Sequence, residues 1–360
     1  MRNKPDKIVF GFVVVLIYML IGCNSIDSPS DMNSAIATSI VNEQQREVVV
    51  YGFDGKIWQM NLDGTNNEII VETDFPVSWP KVSPDSSQIL MIGRKENKMS
   101  LWVAGFQGED IRQISSDFDA ISGYWINSTT LLVSITTDTG LEYGNPENYF
   151  VLDINSNNME PYPDSFEGGI GKIIPSKESW VTSFDGGLTL HNLNEKPQFL
   201  FPDWVIATGK GYEISPSGQE IIFQGRPLSS SSEDIEYNIY RGSLDINQEP
   251  EKILEKECCV DFYWSPDEQK IVLFSSNNDN VTVINSQTYE TLLIFNLDIN
   301  IQEKYDWSLN NKEFLISADY SQDDKDRNFE LAKINMDTGE VIRLTNNEKR
   351  ESGVDLALLK

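Results

Sequence analysis

The sequence predicts an all-β fold built from one repeated four-stranded unit. Three observations lead there. A short turn-and-strand pattern recurs along the 360 residues, its copies stand 40–50 residues apart, and 39% of the chain is hydrophobic. That share supports a packed core and is too high for general disorder. A unit this short cannot bury its own apolar face, so successive units must stack on one another.

The pattern begins as Val82-Ser83-Pro84-Asp85 followed by Ile89-Leu90-Met91. It returns as Ile214-Ser215-Pro216-Ser217-Gly218 before Ile221-Ile222-Phe223, and most fully as Trp264-Ser265-Pro266-Asp267 before Ile271-Val272-Leu273-Phe274. Weaker copies start at Trp307, Trp125 and Ile174. Proline pre-sets the second residue of a turn, while Ser and Asp side chains hydrogen-bond its backbone. The apolar run that follows reads as a strand. The Trp or aliphatic residue before the turn ends the preceding strand and fills a gap between sheets. Anchors at 82, 125, 174, 214, 264 and 307 are separated by 43, 49, 40, 50 and 43 residues, the length of one propeller blade.

Third strands follow each motif strand, running into Asp-Gly or similar turns: Ile57 to Gly64, Leu101 to Gly105, Tyr149 to Asp153, Ile239 to Asp245 and Leu331 to Gly339. Fourth strands close several units, as in Glu68-Ile69-Ile70-Val71 and Val341-Ile342-Arg343-Leu344-Thr345. With these residues the chain from about 46 to 359 resembles the PD40 or WD40-like repeats of the TolB-type β-propeller superfamily. TolB proteins carry an α/β domain before the propeller, and only a tether stands there in this chain. Second-strand starts near 48, 89, 131, 180, 221, 271 and 314 predict a seven-bladed β-propeller. Six blades result if the Ile174 repeat merges with a neighbour. The first blade has no motif strand before Val48, and the apolar segment from Gly353 to Leu358 has no partner after it. The C-terminal strand is therefore expected to complete the first blade, which removes two exposed sheet edges.

Residues 1–22 read as an address. Arg2, Lys4 and Lys7 precede an uncharged run from Ile8 to Ile21, suited to a secretory signal and short for a membrane span. The run ends in Leu20-Ile21-Gly22-Cys23, which resembles the lipobox of bacterial lipoproteins. The resemblance implies cleavage before Cys23, diacylglycerol on its sulfur and acylation of the new N-terminus. An uncleaved signal anchor is the alternative. Residues 23–45 are rich in Asn, Ser, Asp and Gln without hydrophobic periodicity, and read as a tether with a reach of roughly 25 Å. Residues 46–360 form the propeller domain.

Three connections between second and third strands are long: about 136–148, 225–237 and 318–328. They lie on the face that carries the blade-to-blade crossings. They are acidic and contain tyrosines, and long loops on a rigid scaffold commonly bind. The expected binding face is Tyr143, Glu147, Glu233, Asp234, Tyr237, Tyr320, Asp323, Asp324 and Asp326. The competing reading is that these are solvated insertions.

Composition removes several functions. Lys+Arg total 28 and Asp+Glu 56, for a net charge of −28, so no nucleic-acid partner is expected. A single histidine and three cysteines rule out a His-rich metal site and a disulfide scaffold. Asp323-Asp324-Lys325-Asp326 lacks the ligand alternation of a calcium loop. His191, in an alternating strand with no Gly-x-Ser-x-Gly elbow in the chain, reads as an ordinary strand residue. Cys258 and Cys259 read as two thiols, with a strained vicinal disulfide the alternative. The expectation is a monomeric, lipid-anchored lipoprotein on the extracytoplasmic side of a bacterial membrane. It needs no cofactor or metal, has no catalytic residues, and binds a protein or envelope polymer. The alternative is a propeller hydrolase or lyase acting on glycans or peptides through carboxylates.

Overall fold

A computed structural model describes residues 46–359, apart from 97, 115–119, 136–147, 163–171, 175–176, 185, 194, 208–210, 230–236, 246–247, 256–260, 276–279, 322–328 and 348–350. The described residues form seven small antiparallel sheets and no α-helix. Blade one holds β1 (Arg46–Phe53), β2 (Lys56–Asn61) and β3 (Glu68–Val71). Blade two is β4 (Val77–Val82), β5 (Gln88–Lys95), β6 (Lys98–Gly105) and β7 (Arg112–Gln113). Blade three is β8 (Ala120–Trp125), β9 (Thr130–Ile135), β10 (Asn148–Asp153) and β11 (Asn158–Pro161). Blade four is β12 (Ile173–Ile174), β13 (Ser179–Phe184), β14 (Gly187–Asn192) and β15 (Gln198–Leu200). Blade five is β16 (Trp204–Ile206), β17 (Tyr212–Ile214), β18 (Glu220–Pro227), β19 (Asn238–Ser243) and β20 (Glu251–Leu254). Blade six is β21 (Asp261–Trp264), β22 (Lys270–Phe274), β23 (Asn280–Asn285) and β24 (Thr291–Asn296). Blade seven is β25 (Asn300–Trp307), β26 (Glu313–Asp319), β27 (Phe329–Asn335) and β28 (Val341–Arg343). The last strand, β29 (Ser352–Leu359), returns to blade one and pairs antiparallel with β1 from Arg46↔Leu359 to Gly52↔Ser352. The chain is a seven-bladed propeller closed by its own C-terminal strand, as the unpartnered apolar segment predicted.

Two details depart from the four-strand repeat. In blade five the innermost edge is split, because β16 pairs with Gly225–Pro227 and β17 with Ile221–Phe223 of the same long strand. In blade four, Ile173 rather than Ile174 lies opposite Trp180, so the weakest repeat is displaced by one residue from its sequence anchor.

The core is annular. Among the described residues, seven apolar clusters each join two adjacent blades. Second strands face a blade on either side, which explains their unbroken apolar runs such as Val48-Val49-Val50-Tyr51, each at most 1% exposed. The motif tryptophans fill the predicted gaps. Trp125 packs with Leu90 and Leu101 of blade two, Trp264 with Ile222 and Ile239 of blade five, and Trp307 with Val272 and Phe274 of blade six.

The Ser-Pro turns do two jobs. Within a blade, Ser265 N–H bonds to the Lys270 carbonyl, Lys270 N–H returns to Ser265 Oγ at 2.9 Å, and Ser265 Oγ donates to Asp267 Oδ1 at 2.6 Å. Ser83, Asp85 and Gln88 repeat the arrangement, and Asn310 takes the Asp role beside Ser308. Between blades, the same turns hook onto one another. Leu358 N–H bonds Ser86 Oγ, Gln88 Nε2 the Ser128 carbonyl, and Asn127 Nδ2 Glu178 Oε1. Lys177 Nζ bonds the Gly218 carbonyl, Ser217 N–H Glu268, Asp267 N–H Asn311 Oδ1, and Leu309 N–H Glu47 Oε1. Each of the seven blade junctions thus carries a hydrogen bond on this face.

Candidate functional site

Alternation along the innermost strands creates the site. In each blade one inner-strand residue pairs with the first core residue of the second strand: Val82↔Ile89, Trp125↔Leu131, Ile173↔Trp180, Ile214↔Ile221, Trp264↔Ile271, Trp307↔Phe314 and Ala357↔Val48. These side chains pack between blades. The residue before each must point the other way, toward the ring axis. Those residues are Lys81, Tyr124, Lys172, Glu213, Tyr263, Asp306 and Leu356, and all seven line one axial cavity of about 770 Å³. A second cavity of about 490 Å³ is lined by Ser83, Pro84, Ser215, Pro216 and Pro266 at the Ser-Pro turns. Lys172, Glu213, Asp306, Asp355 and Leu356 line both, and mark the waist of an axial channel. The larger cavity also takes in Asp261, the first residue of β21, and Ser183, one residue from the end of β13, so it lies toward the face of the blade crossings.

Most charges in the channel link neighbouring blades. Lys172 Nζ stands 2.8 Å from Glu213 Oε2, joining blades four and five. Lys304 Nζ stands 2.5 Å from Asp261 Oδ2, joining seven and six. Asp355 accepts Val82 N–H at 2.7 Å and Leu356 N–H at 2.9 Å, and so fastens the C-terminal strand to blade two. Lys81 Nζ lies 3.2 Å from the Tyr124 ring centroid and makes no ion pair among the described residues. The Asp306 carboxylate receives Trp307 N–H at 2.8 Å.

Enclosure shifts these groups. Burial pushes the Glu213 carboxyl up to about 7, with Lys172 pulling the other way. Burial pushes Asp355 up to about 6 against its two backbone donors, and raises Asp306 as well. Burial brings Lys81 down to about 8, partly opposed by Asp355. Burial alone would lower Lys172, but Glu213, Asp306 and Asp261 outweigh it and leave the amine above its ordinary value. The Lys172 side chain remains 45% exposed, at the wall of the cavity it lines. Among the described residues no group of three His, Cys, Asp or Glu side chains is placed to hold a metal ion, so the carboxylates are spread around the ring.

Of the residues expected to form the binding face, Tyr237 and Tyr320 are described, and both are half-buried. Tyr320 packs under Arg343, 4.6 Å from ring centroid to guanidinium carbon. Arg343 in turn holds the buried Glu330, 2.8 Å from Nη2 to Oε1. Tyr143, Glu147, Glu233, Asp234, Asp323, Asp324 and Asp326 lie outside the described residues, as do Cys23, Cys258 and Cys259. Among the described residues, β9, β18 and β26 end, and β10, β19 and β27 begin, on the crossing face. His191 sits in β14 at 1% exposure, between Thr182 Oγ1 at 2.9 Å from Nε2 and Tyr162 OH at 3.4 Å from Nδ1. Its ring stacks on Trp180 at 5.5 Å, which makes it a packing residue of the junction between blades three and four. The channel ring escaped the sequence reading, although its signal was present: a polar or aromatic residue immediately before most anchors.

No protein-family model and no curated protein matches the sequence. Solved structures do match the fold. A functionally unknown protein from Desulfotomaculum acetoxidans superposes with a TM-score of 0.56 at 11% identity, over 87% of this chain and 98% of that one. TolB from Acinetobacter baumannii is matched with a TM-score of 0.44 at 12% identity, over 68% of this chain. The AtxE2 isopeptidase is matched at 0.47 and 12% identity, over 80% of this chain and 46% of that one. The match spans 62% of the TolB chain. At such identities the likeness is one of fold alone.

Proposed function

We propose that this chain is a lipid-anchored extracytoplasmic lipoprotein whose propeller is a non-catalytic scaffold for a protein or envelope polymer. The observation that carries the reading is the coincidence of features on one face. The larger channel mouth, with its tyrosines and mixed charges, opens on the side where the three long acidic connections leave their strands. On the opposite face the turns hook to one another around the smaller cavity. The N-terminal motif supplies the anchor through Cys23, and the acidic tether holds the ring off the bilayer. Cys23→Ser is expected to move the protein from the membrane to the soluble fraction with the propeller's melting curve unchanged. Crosslinking on intact cells should capture a partner, and deleting all three connections together should abolish capture. Capture that survives the deletion rejects the face.

The enclosed carboxylates Glu213 and Asp306 favour a second reading, a hydrolase or lyase on glycans or peptides, because perturbed carboxyls in a cavity are common at catalytic sites. Turnover of a glycan or peptide panel by pure protein, lost in Glu213→Gln, would establish it.

A further inference from the structure

The channel charges divide into satisfied and spare groups. Lys172 is taken by Glu213, Lys304 by Asp261, and Asp355 by two backbone N–H groups. What remains are one ammonium and one carboxylate without a direct ion pair among the described residues, although Asp355 acts on Lys81 and Lys172 on Asp306 across the channel. Lys81, on blade two, rests on an aromatic face and forms no ion pair among the described residues. Asp306, on blade seven, receives one backbone N–H among the described residues, that of Trp307. Asp355 of blade one stands between them and feels the charge of both. The two spare charges therefore occupy one arc of the ring, within the same cavity of about 770 Å³. Tyr124 and Tyr263 line that cavity too, and its volume is of the size that small-ligand pockets have.

We propose that the crossing-face half of the channel binds a small zwitterion, an α-amino acid or short peptide with free ends. Its carboxylate pairs with Lys81 and its ammonium with Asp306. The mixed charge argues against the simpler ligands. A polyanion would meet four carboxylates against three lysines, in a chain of net charge −28. A simple amine would leave Lys81 with no partner beyond Asp355, whose carboxylate is already held by two backbone N–H groups. A ligand with both charges satisfies both groups, and charge-assisted contacts in an enclosed site are the strong ones. The inference does not depend on the anchor or on a macromolecular partner, so partner capture can fail without touching it.

The test is isothermal titration of the purified propeller, residues 24–360, against glycine, L-alanine, L-lysine, L-glutamate, triglycine and trialanine. N-acetylated and C-amidated forms, putrescine and acetate serve as half-ligands. At least one free-ended compound is expected to bind saturably, and either blocked form should weaken it by about tenfold or more. Free amino acids and tripeptides separate the two sources of the same chemistry. Lys81→Met and Asp306→Asn, each checked for an unchanged melting transition, should each cost a similar factor. Should either variant melt early, the blocked ligands on the native chain carry the test instead. Binding of putrescine or acetate alone as tightly as the zwitterion, equal binding of blocked and free forms, or no binding by any compound would overturn the proposal.

Discussion

Asp355 shows how much one side chain decides. Its carboxylate is the acceptor for the backbone of blade two at the seam where the ring closes. Asp355→Ala strands the Val82 and Leu356 N–H groups and is expected to cost about 1–3 kcal/mol, read as a lower denaturant midpoint. The same enclosure gives a pH dependence with a definite sign. Glu213 titrates near 7 and Asp355 near 6 in the folded chain, above their ordinary values of 4.5 and 3.8. Through that window the folded state holds protons that the unfolded chain has released, so stability falls as pH rises from about 4 to 7. Lys81, lowered to about 8 from 10.5, acts in the opposite direction above pH 8, where stability should recover. Melting temperature is thus expected to be higher at pH 5 than at pH 7.5. Glu213→Gln and Asp355→Asn should each flatten the slope, and an unchanged slope in both would refute the assignment.

At the scale of the element, the Ser-Pro turn is the informative unit. Ser265 is fully buried, because its hydroxyl closes the hairpin while the flanking tryptophan packs between blades. Ser265→Ala leaves Lys270 N–H without its side-chain acceptor and Asp267 with the Gln269 N–H alone as donor to Oδ1. A loss of about 1–2 kcal/mol is expected from chemical denaturation. A second test concerns β29. Ending the chain at Ser352 opens blade one on its inner side and exposes the unpaired edge of β1. The truncated protein should lose its cooperative thermal transition or become insoluble, whereas removing the first 22 residues should not affect melting. These elements were legible in the sequence because each strand is local: a turn signal, then an apolar run, with the starts of the second strands matched to within two residues. The split inner edge of blade five was not legible, since a three-residue strand such as β16 has too few positions to show a period.

The whole molecule balances a closed ring against its own charge. Seven apolar junctions and a continuous circle of hydrogen bonds on the turn face hold together a chain of net charge −28. That charge repels itself, so adding salt from low ionic strength to about 0.5 M should raise the melting temperature by a few degrees. A fall instead would mean that the interblade ion pairs, and not the net charge, dominate the electrostatics.

The sequence by itself determined the repeat, the number of blades, the closing strand and the buried tryptophans. Each of these follows from spacing and hydrophobicity along the chain, which pairing between neighbours then obeys. Only the tertiary structure decided which charges meet. Lys81, Glu213 and Asp306 are separated by more than ninety residues from one to the next, and no local pattern relates them. Ring closure brings them to one level of one channel, because strand alternation turns every residue before an anchor toward the axis.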